Sequence, residues 1–469
     1  MTIIQILIIV FFVLLFAIIK RGRETFLLIA SVLTIFWLQP ALPIRGFDFW
    51  IPTLTLIITI FSWRITSDHT FNRKNIFTLV MIAGIVLLLN ATRYFSFAQF
   101  LTSSRPPQIE ITVIIFLIFG FILLLLRKNS SSFLTFGLIL LIGIFLILKI
   151  PSLTLWLSSS LRELVGQSLT TASVLDIRWL GFSYIAFRLI HTIRDKQTGR
   201  LPSVDLSEYI TYVLFFPAFT AGPIDRIERF IKDLRQPYEG LSQEKLFEAG
   251  QRLIIGLFKK FVIADSLALI ALNDMNATQV TSTIWMWVLV YSYAFQIYFD
   301  FSGYTDIALG IAKFVGIHLP ENFSAPYLKP NLTQLWNNWH MTLTQWFRSY
   351  FFNPITRWLR SWQKPLSIPV MILLTQVATM VLIGFWHGVT WNFTLWGLWH
   401  GVGLFIHNRW NNFTKAKASE WASTSIKQNI LNICGIIFTF HFVALGWIFF
   451  ALSSPVTSWQ VILKLFGVN

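Results

Sequence analysis

Long, nearly unbroken apolar runs decide most of what this chain can fold into. Ile3 to Ile19, Phe26 to Leu38, Ile76 to Leu89, Ile111 to Leu126, Phe133 to Leu148 and Ile368 to Phe385 each approach the roughly 20 residues that carry a helix across a bilayer. A hydrocarbon core offers backbone groups no water, so such runs become helices whose N–H and C=O groups are satisfied within the segment. With 55% of its 469 residues hydrophobic and 12% charged, the chain lies outside the range of soluble globular proteins. Counting the less uniform runs further on, the pattern predicts an all-α polytopic membrane protein of about 11 to 13 membrane segments, some of them re-entrant or broken.

No basic region precedes the first run and no small-residue cleavage site follows it, so it is expected to be retained as the first span. The single cysteine, Cys434, excludes an internal disulfide, a thiolate metal cluster and a Cys-x-x-Cys redox pair. A formal net charge of +16 raises the question of nucleic acid, but the cations are scattered through loops rather than gathered on one face. Lys20, Arg21, Arg23, Arg64, Arg73, Lys74, Arg127, Lys128, Arg194, Lys196 and Arg200 fall in alternate loops, which places the N-terminus outside the inner (cytoplasmic) membrane.

Up to about Pro151 the chain reads as hydrophobic hairpins with few intramembrane polar groups, and residues 1–170 are taken as a transmembrane scaffold. From about Ile177 the apolar stretches shorten and Pro, Gly, His, Asp and Tyr enter them, so residues 171–469 are taken as a second region, a membrane core of broken helices. Tyr209 to Ala221, with Pro217 inside and Gly222-Pro223 after it, is too short to span and reads as re-entrant. A mixed segment around Lys259 and Lys260 follows, then a span from about Trp285 to Phe299.

Asp300 and Tyr304 are four apart, so a helix puts them on one face, where the carboxylate could orient the phenol. The other reading is a polar pair at the wet end of a span, with Gly303 weakening the helix. His340 opens a segment dense in aromatics, Trp339, Trp346, Phe347, Tyr350, Phe351 and Phe352, with Arg348 among them. It is either an interfacial helix or a buried gate in which His340 meets substrate. His387 ends a long apolar run and is followed by Gly388; an imidazole in apolar surroundings stays neutral and can accept a proton, as a general base must. The alternative for it is a satisfied core histidine. His400 and His407, seven apart, lie near one helical face, and His387 falls on a different face of a continuous helix; this spacing assigns the three no metal. His69, His191, His318 and His441 are read as structural or interfacial. No nucleophile elbow, phosphate-cradling loop or dinucleotide fingerprint occurs.

Several stretches taken together carry a resemblance. They are Phe215-Phe216-Pro217 with Ala221-Gly222-Pro223-Ile224-Asp225-Arg226, then Asp300 to Asp306, Pro320 to Tyr327, Trp336 to Arg348, Gly384-Phe385-Trp386-His387-Gly388 and Leu395 to Gly401. In order and number they resemble the membrane-bound O-acyltransferase family, in its bacterial branch of alginate O-acetyltransferases and teichoic acid D-alanyl transfer proteins, over roughly Ile177 to Phe450. The resemblance implies helices around a central tunnel and an acyl group, acetyl foremost, taken from a cytoplasmic thioester. It is passed to a hydroxyl of an extracytoplasmic polysaccharide or relay partner. The donor, acetyl-coenzyme A or an acyl carrier protein, is a substrate, and no tightly bound cofactor or metal is expected. His387 matches the family's essential histidine and His340 a second one lining the same tunnel; Trp336, Asn337, Trp339, Trp386, Asn392, His400, Tyr304 and Asp300 are expected to line or support it. The rival expectation is a transporter or flippase of a lipid-linked glycan, which also shows re-entrant segments and intramembrane ionisable groups.

Overall fold

The computed structural model describes residues 1–19, 22–68, 72–95, 102–125, 131–238, 240–414 and 424–468. Lys20, Arg21, His69, Arg127 and Lys128 lie outside the described residues. Among the described residues helix is the only regular structure, as the apolar runs require. Five helices are both long and apolar enough to cross a membrane: Phe47–Thr66, Arg73–Tyr94, Ser131–Lys149, Ile368–His387 and Ser425–Ala451; Ile3–Ala17 and Ile109–Leu125 are shorter apolar helices.

The chain divides into two compact units. The first comprises Met1–Leu253 with Ala308–Leu319. In it run α1 (Ile3–Ile19), α2 (Arg23–Trp37), α3 (Phe47–Thr66), α4 (Arg73–Ala91), α5 (Ile109–Leu125), α6 (Ser131–Lys149), α7 (Pro151–Leu164), α8 (Phe182–Gln197), α9 (Leu206–Leu214) and α10 (Ile227–Arg235). Helix α9 has nine residues, about 14 Å of rise, so it cannot span. Its start is a capping box in which the Asp205 N–H donates to Glu208 Oε2. At its other end the carbonyls left without intrahelical partners receive the fully buried Arg188 of α8. One guanidinium nitrogen donates to Tyr212 O (3.2 Å) and Val213 O (2.9 Å), the other to Ala218 O at 3.1 Å. A broken backbone at this depth is thus satisfied by a buried cation.

The second unit comprises Ile254–Ile307 and Pro320–Asn469. The helix α11 (Gln243–Leu257), which belongs to the first unit up to Leu253, runs on through a π-helical turn, Phe258–Ala264, into α12 (Asp265–Ala268); α13 (Asp274–Gln279) and the 32-residue α14 (Thr283–Phe314), whose residues from Ala308 belong to the first unit again, follow. The sequence reading ended this span at Phe299 and counted Gly303 against the helix, yet α14 continues through it. The reason is close approach: a Cβ on Gly303 would sit 2.8 Å from the Lys260 backbone nitrogen and 2.9 Å from Gly256 O. Lost helix propensity is offset by packing against the π-helical turn. The same crossing pairs Lys259 Nζ with Asp306 Oδ2 at 2.7 Å and Lys260 with Asp300. Beyond it come α15 (Leu332–Asn338), α16 (Met341–Phe347), α17 (Asn353–Arg360), α18 (Ile368–His387), α19 (Trp391–Thr414), α20 (Ser425–Ala451) and α21 (Pro455–Leu465). Helices α18 and α19 form a tight hairpin, where a Cβ on Gly397 would lie 2.5 Å from Val381 Cα and one on Gly401 would lie 2.7 Å from Val377 Cα.

Candidate active site

His340 sits between α15 and α16 with φ 42° and ψ 53°, in the left-handed region that a β-carbon disfavours. A non-glycine residue held there costs on the order of 1–3 kcal/mol and persists only where its surroundings impose it. Asn322 imposes it: its carbonyl accepts the Met341 N–H (2.9 Å) and its side-chain oxygen accepts the Thr342 hydroxyl (2.6 Å) and N–H (3.3 Å). Because the backbone N–H of Thr342 can only donate, the Asn322 atom facing it is Oδ1, an acceptor. His340 Nδ1, 3.4 Å from the same oxygen, therefore carries the proton, and Nε2 is left with its lone pair. That Nε2 is buried and has no hydrogen-bond partner. His340 is 4% exposed, so its ring is buried in the protein.

His387 closes α18, and Gly388 ends the helix before α19 starts at Trp391. The break replaces the continuous helix on which the spacing of His387 and His400 was judged. The hairpin puts both rings against Trp396, with centroids 5.9 Å and 5.1 Å from it. Trp386 lies between the histidines, 4.4 Å from the His387 ring and 6.1 Å from that of His340.

A cavity of about 50 Å³ joins them, lined by Ile297, Phe301, Trp336, Trp339, His340, Leu343, Thr344, Ile383, His387, Trp396, Trp447 and Phe450. Three of these side chains carry a buried polar atom without a hydrogen-bond partner: His340 Nε2 and the indole nitrogens of Trp336 and Trp396. One acceptor and two N–H donors on side chains lining one apolar cavity make it the candidate site for a polar ligand. A second cavity, about 160 Å³, shares Trp336, Thr344 and Ile383 as walls and adds Thr333, Asn337, Arg348, Gln376 and Thr379. There Arg348 Nη2 donates to Asn337 Oδ1 at 2.6 Å.

Of the expected residues, His340, His387, Trp336 and Trp339 line the smaller cavity and Asn337 the larger. His400 is fully buried in a cage of Trp336, Trp396 and Phe442, with both ring nitrogens lacking a hydrogen-bond partner. Asn392 is elsewhere: its amide donates to Leu452 O and Ser458 Oγ and ties the start of α19 to α20 and α21. Asp300 is committed to Lys260, and neither it nor Tyr304 is among the lining residues named above. Sequence reasoning gave no role to Asn322, Trp396, Trp447 or Phe450; the first two lie in stretches it had singled out, but only contacts across the fold show what they touch.

Comparison with known proteins identifies the family. The model of MBOAT, the membrane-bound O-acyltransferase family, matches residues 129–454. The chain is 30% identical over 284 residues to the teichoic acid D-alanyltransferase of Streptococcus thermophilus, covering 59% of this chain and 68% of that one. It is 32% identical over 264 residues to the peptidoglycan O-acetyltransferase of Helicobacter pylori, covering 56% and 47%. With a probable alginate O-acetylase of Azotobacter vinelandii the figures are 30% over 289 residues, 61% and 54%, so the match spans about half the length of either acetylating relative.

Proposed function

The chain belongs to the membrane-bound O-acyltransferase family, and from that premise we propose that it carries an acyl group, acetyl foremost, from a cytoplasmic thioester donor to a hydroxyl of an extracytoplasmic polysaccharide or relay protein. The observation that carries the reading is the cavity shared by His340 and His387, with one bare imidazole nitrogen and two uncommitted indole N–H groups at its walls. His387 takes the proton of the acceptor hydroxyl as its oxygen attacks the thioester carbon. The Trp336 and Trp396 N–H groups hold the oxyanion of the tetrahedral intermediate. The intermediate collapses with cleavage of the C–S bond, and the thiolate leaves with the proton from His387. His340 Nε2, as an acceptor, serves not as an oxyanion donor but orients the bound acceptor by accepting from a second hydroxyl of it, since the attacking hydroxyl gives its one proton to His387.

Acetyl is favoured over D-alanyl because none of the named residues lining either cavity is acidic and the larger cavity contains Arg348. A D-alanyl ammonium would meet no counter-ion there. The larger cavity, continuous in its walls with the smaller, is the approach for the thioester arm.

The test is the ester content of surface polysaccharides by mass spectrometry in wild type, a deletion, His387→Ala and His340→Gln at matched membrane abundance. Loss of one O-acetyl ester in the deletion and in His387→Ala supports the reading. A lost D-alanyl ester would transfer the chain to the other branch of the family. Wild-type acylation in His387→Ala would remove His387 as the base.

A further inference from the structure

Away from the cavity, in the first unit, α8 and α10 bring His191, Asp195 and Glu228 together with one ligating atom from each within 4.8 Å of the others. We propose that these three side chains bind a single divalent transition-metal ion, zinc by preference. His191 Nε2 is 3.0 Å from Asp195 Oδ2 and 4.0 Å from Glu228 Oε2. An ion bound at about 2.0–2.2 Å to nitrogen and oxygen sets neighbouring ligand atoms about 3 Å apart, so the first edge is already at coordination distance. Glu228, 39% exposed, closes the second by a small rotation of its side chain.

Three further observations point to a cation. The Tyr212 hydroxyl donates to Asp225 O at 2.8 Å, so towards His191 Nδ1, 3.5 Å away, its oxygen is an acceptor. With a metal bound, Nδ1 would hold the imidazole proton against that oxygen and Nε2 would give the ion its lone pair, the orientation a metal-ligating histidine takes from its outer partner; without one, the 3.0 Å contact of Nε2 with Asp195 Oδ2 takes a proton on Nε2. Glu228 Oε2, although its side chain reaches the surface, is itself buried and without a hydrogen-bond donor. Two carboxylates and a neutral imidazole carry a charge that one divalent ion balances; Arg200, 3.5 Å from Asp195, reaches the other carboxylate oxygen. Imidazole with carboxylates suits zinc, and manganese next, rather than the all-oxygen shells of magnesium and calcium. The half-exposed Glu228 gives the ion a way in from water.

The test uses the full chain in detergent micelles without an affinity tag, stripped with chelator and titrated with ZnCl2, MnCl2 or MgCl2. Bound metal is read by plasma mass spectrometry and affinity by calorimetry. One zinc per chain is expected, with a raised Tm, manganese weaker and magnesium silent. His191→Gln should abolish binding, and Glu228→Gln should weaken it at least tenfold while keeping the wild-type Tm in chelator, which separates lost ligation from lost folding. Substoichiometric zinc in the wild type, or equal affinity in Glu228→Gln, would show that His191 and Asp195 form only an ion pair and would overturn the proposal.

Discussion

At the scale of single residues, the site depends on a histidine whose tautomer is set by an amide eighteen positions earlier in the chain. Replacing Asn322 with Ala strands the His340 Nδ1 donor, a cost of about 1–3 kcal/mol for a buried donor left unpaired. It also frees the imidazole to turn. A lower Tm and at least a tenfold loss of acyl transfer are expected, with Asn322→Asp recovering part of the Tm because its oxygen still accepts from Thr342. Trp396→Phe and Trp336→Phe keep a ring in place but remove one N–H each. If those groups hold the oxyanion, kcat should fall about 100- to 1,000-fold per donor with KM little changed. An unchanged kcat in both would exclude the indoles from that role. The residue types were visible in the sequence; the direction each ring faces was not, because aromatic spacing along a helix does not say which neighbour fills the facing groove.

At the scale of elements, the α18–α19 hairpin is what brings His387 and His400 against one indole. Its interface is made of glycines against backbone, so volume added there has nowhere to go. Gly397→Val should cost about 1–3 kcal/mol and abolish transfer by parting the helices, read as a lower Tm in detergent. Gly143→Ala, on α6 with nothing within 4 Å of the added carbon, should leave both unchanged. The apolar run before His387 announced α18, whereas its end at Gly388 did not enter the reading, which measures His387 to His400 along one continuous helix. That α19 folds straight back was not legible, since a glycine permits a turn without fixing its geometry. Likewise the shortness of α9 could be read from Tyr209 to Ala221, whereas its dependence on Arg188 could not.

At the scale of the whole molecule, two buried acids give stability opposite dependences on pH. Burial pushes the Asp225 carboxyl up to about 6, an effect that Arg229 and the Arg226 N–H only partly oppose. The native state then holds a proton that the unfolded chain loses near pH 4, so stability is highest below about pH 4 and declines as pH rises to about 6. Asp225→Asn should be more stable than wild type at pH 7, by up to about 3 kcal/mol, and the gap in Tm should close as pH falls to 4. A constant gap across that range would sink the assignment. Asp176 behaves in reverse: burial raises its carboxyl, but Arg162, Ser158 and the Ser173 N–H outweigh it and hold it below the usual carboxylate range. Its contribution is complete above pH 4 and is lost as pH falls further, so Asp176→Asn should destabilise at pH 7 and converge on wild type in acid.

The sequence by itself determined that the chain is helical and membrane-bound, where its helices weaken, and which family it belongs to. Those properties follow from local causes, since lipid obliges each apolar run to satisfy its own backbone and motifs are short in sequence. Only the tertiary structure decided that Asn322 fixes the proton of His340, that His387 and His400 both pack on Trp396, and that Glu228 of α10 meets His191 and Asp195 of α8. Each of those relations joins residues far apart along the chain, and packing of helix on helix, which no local periodicity encodes, sets the distance between them.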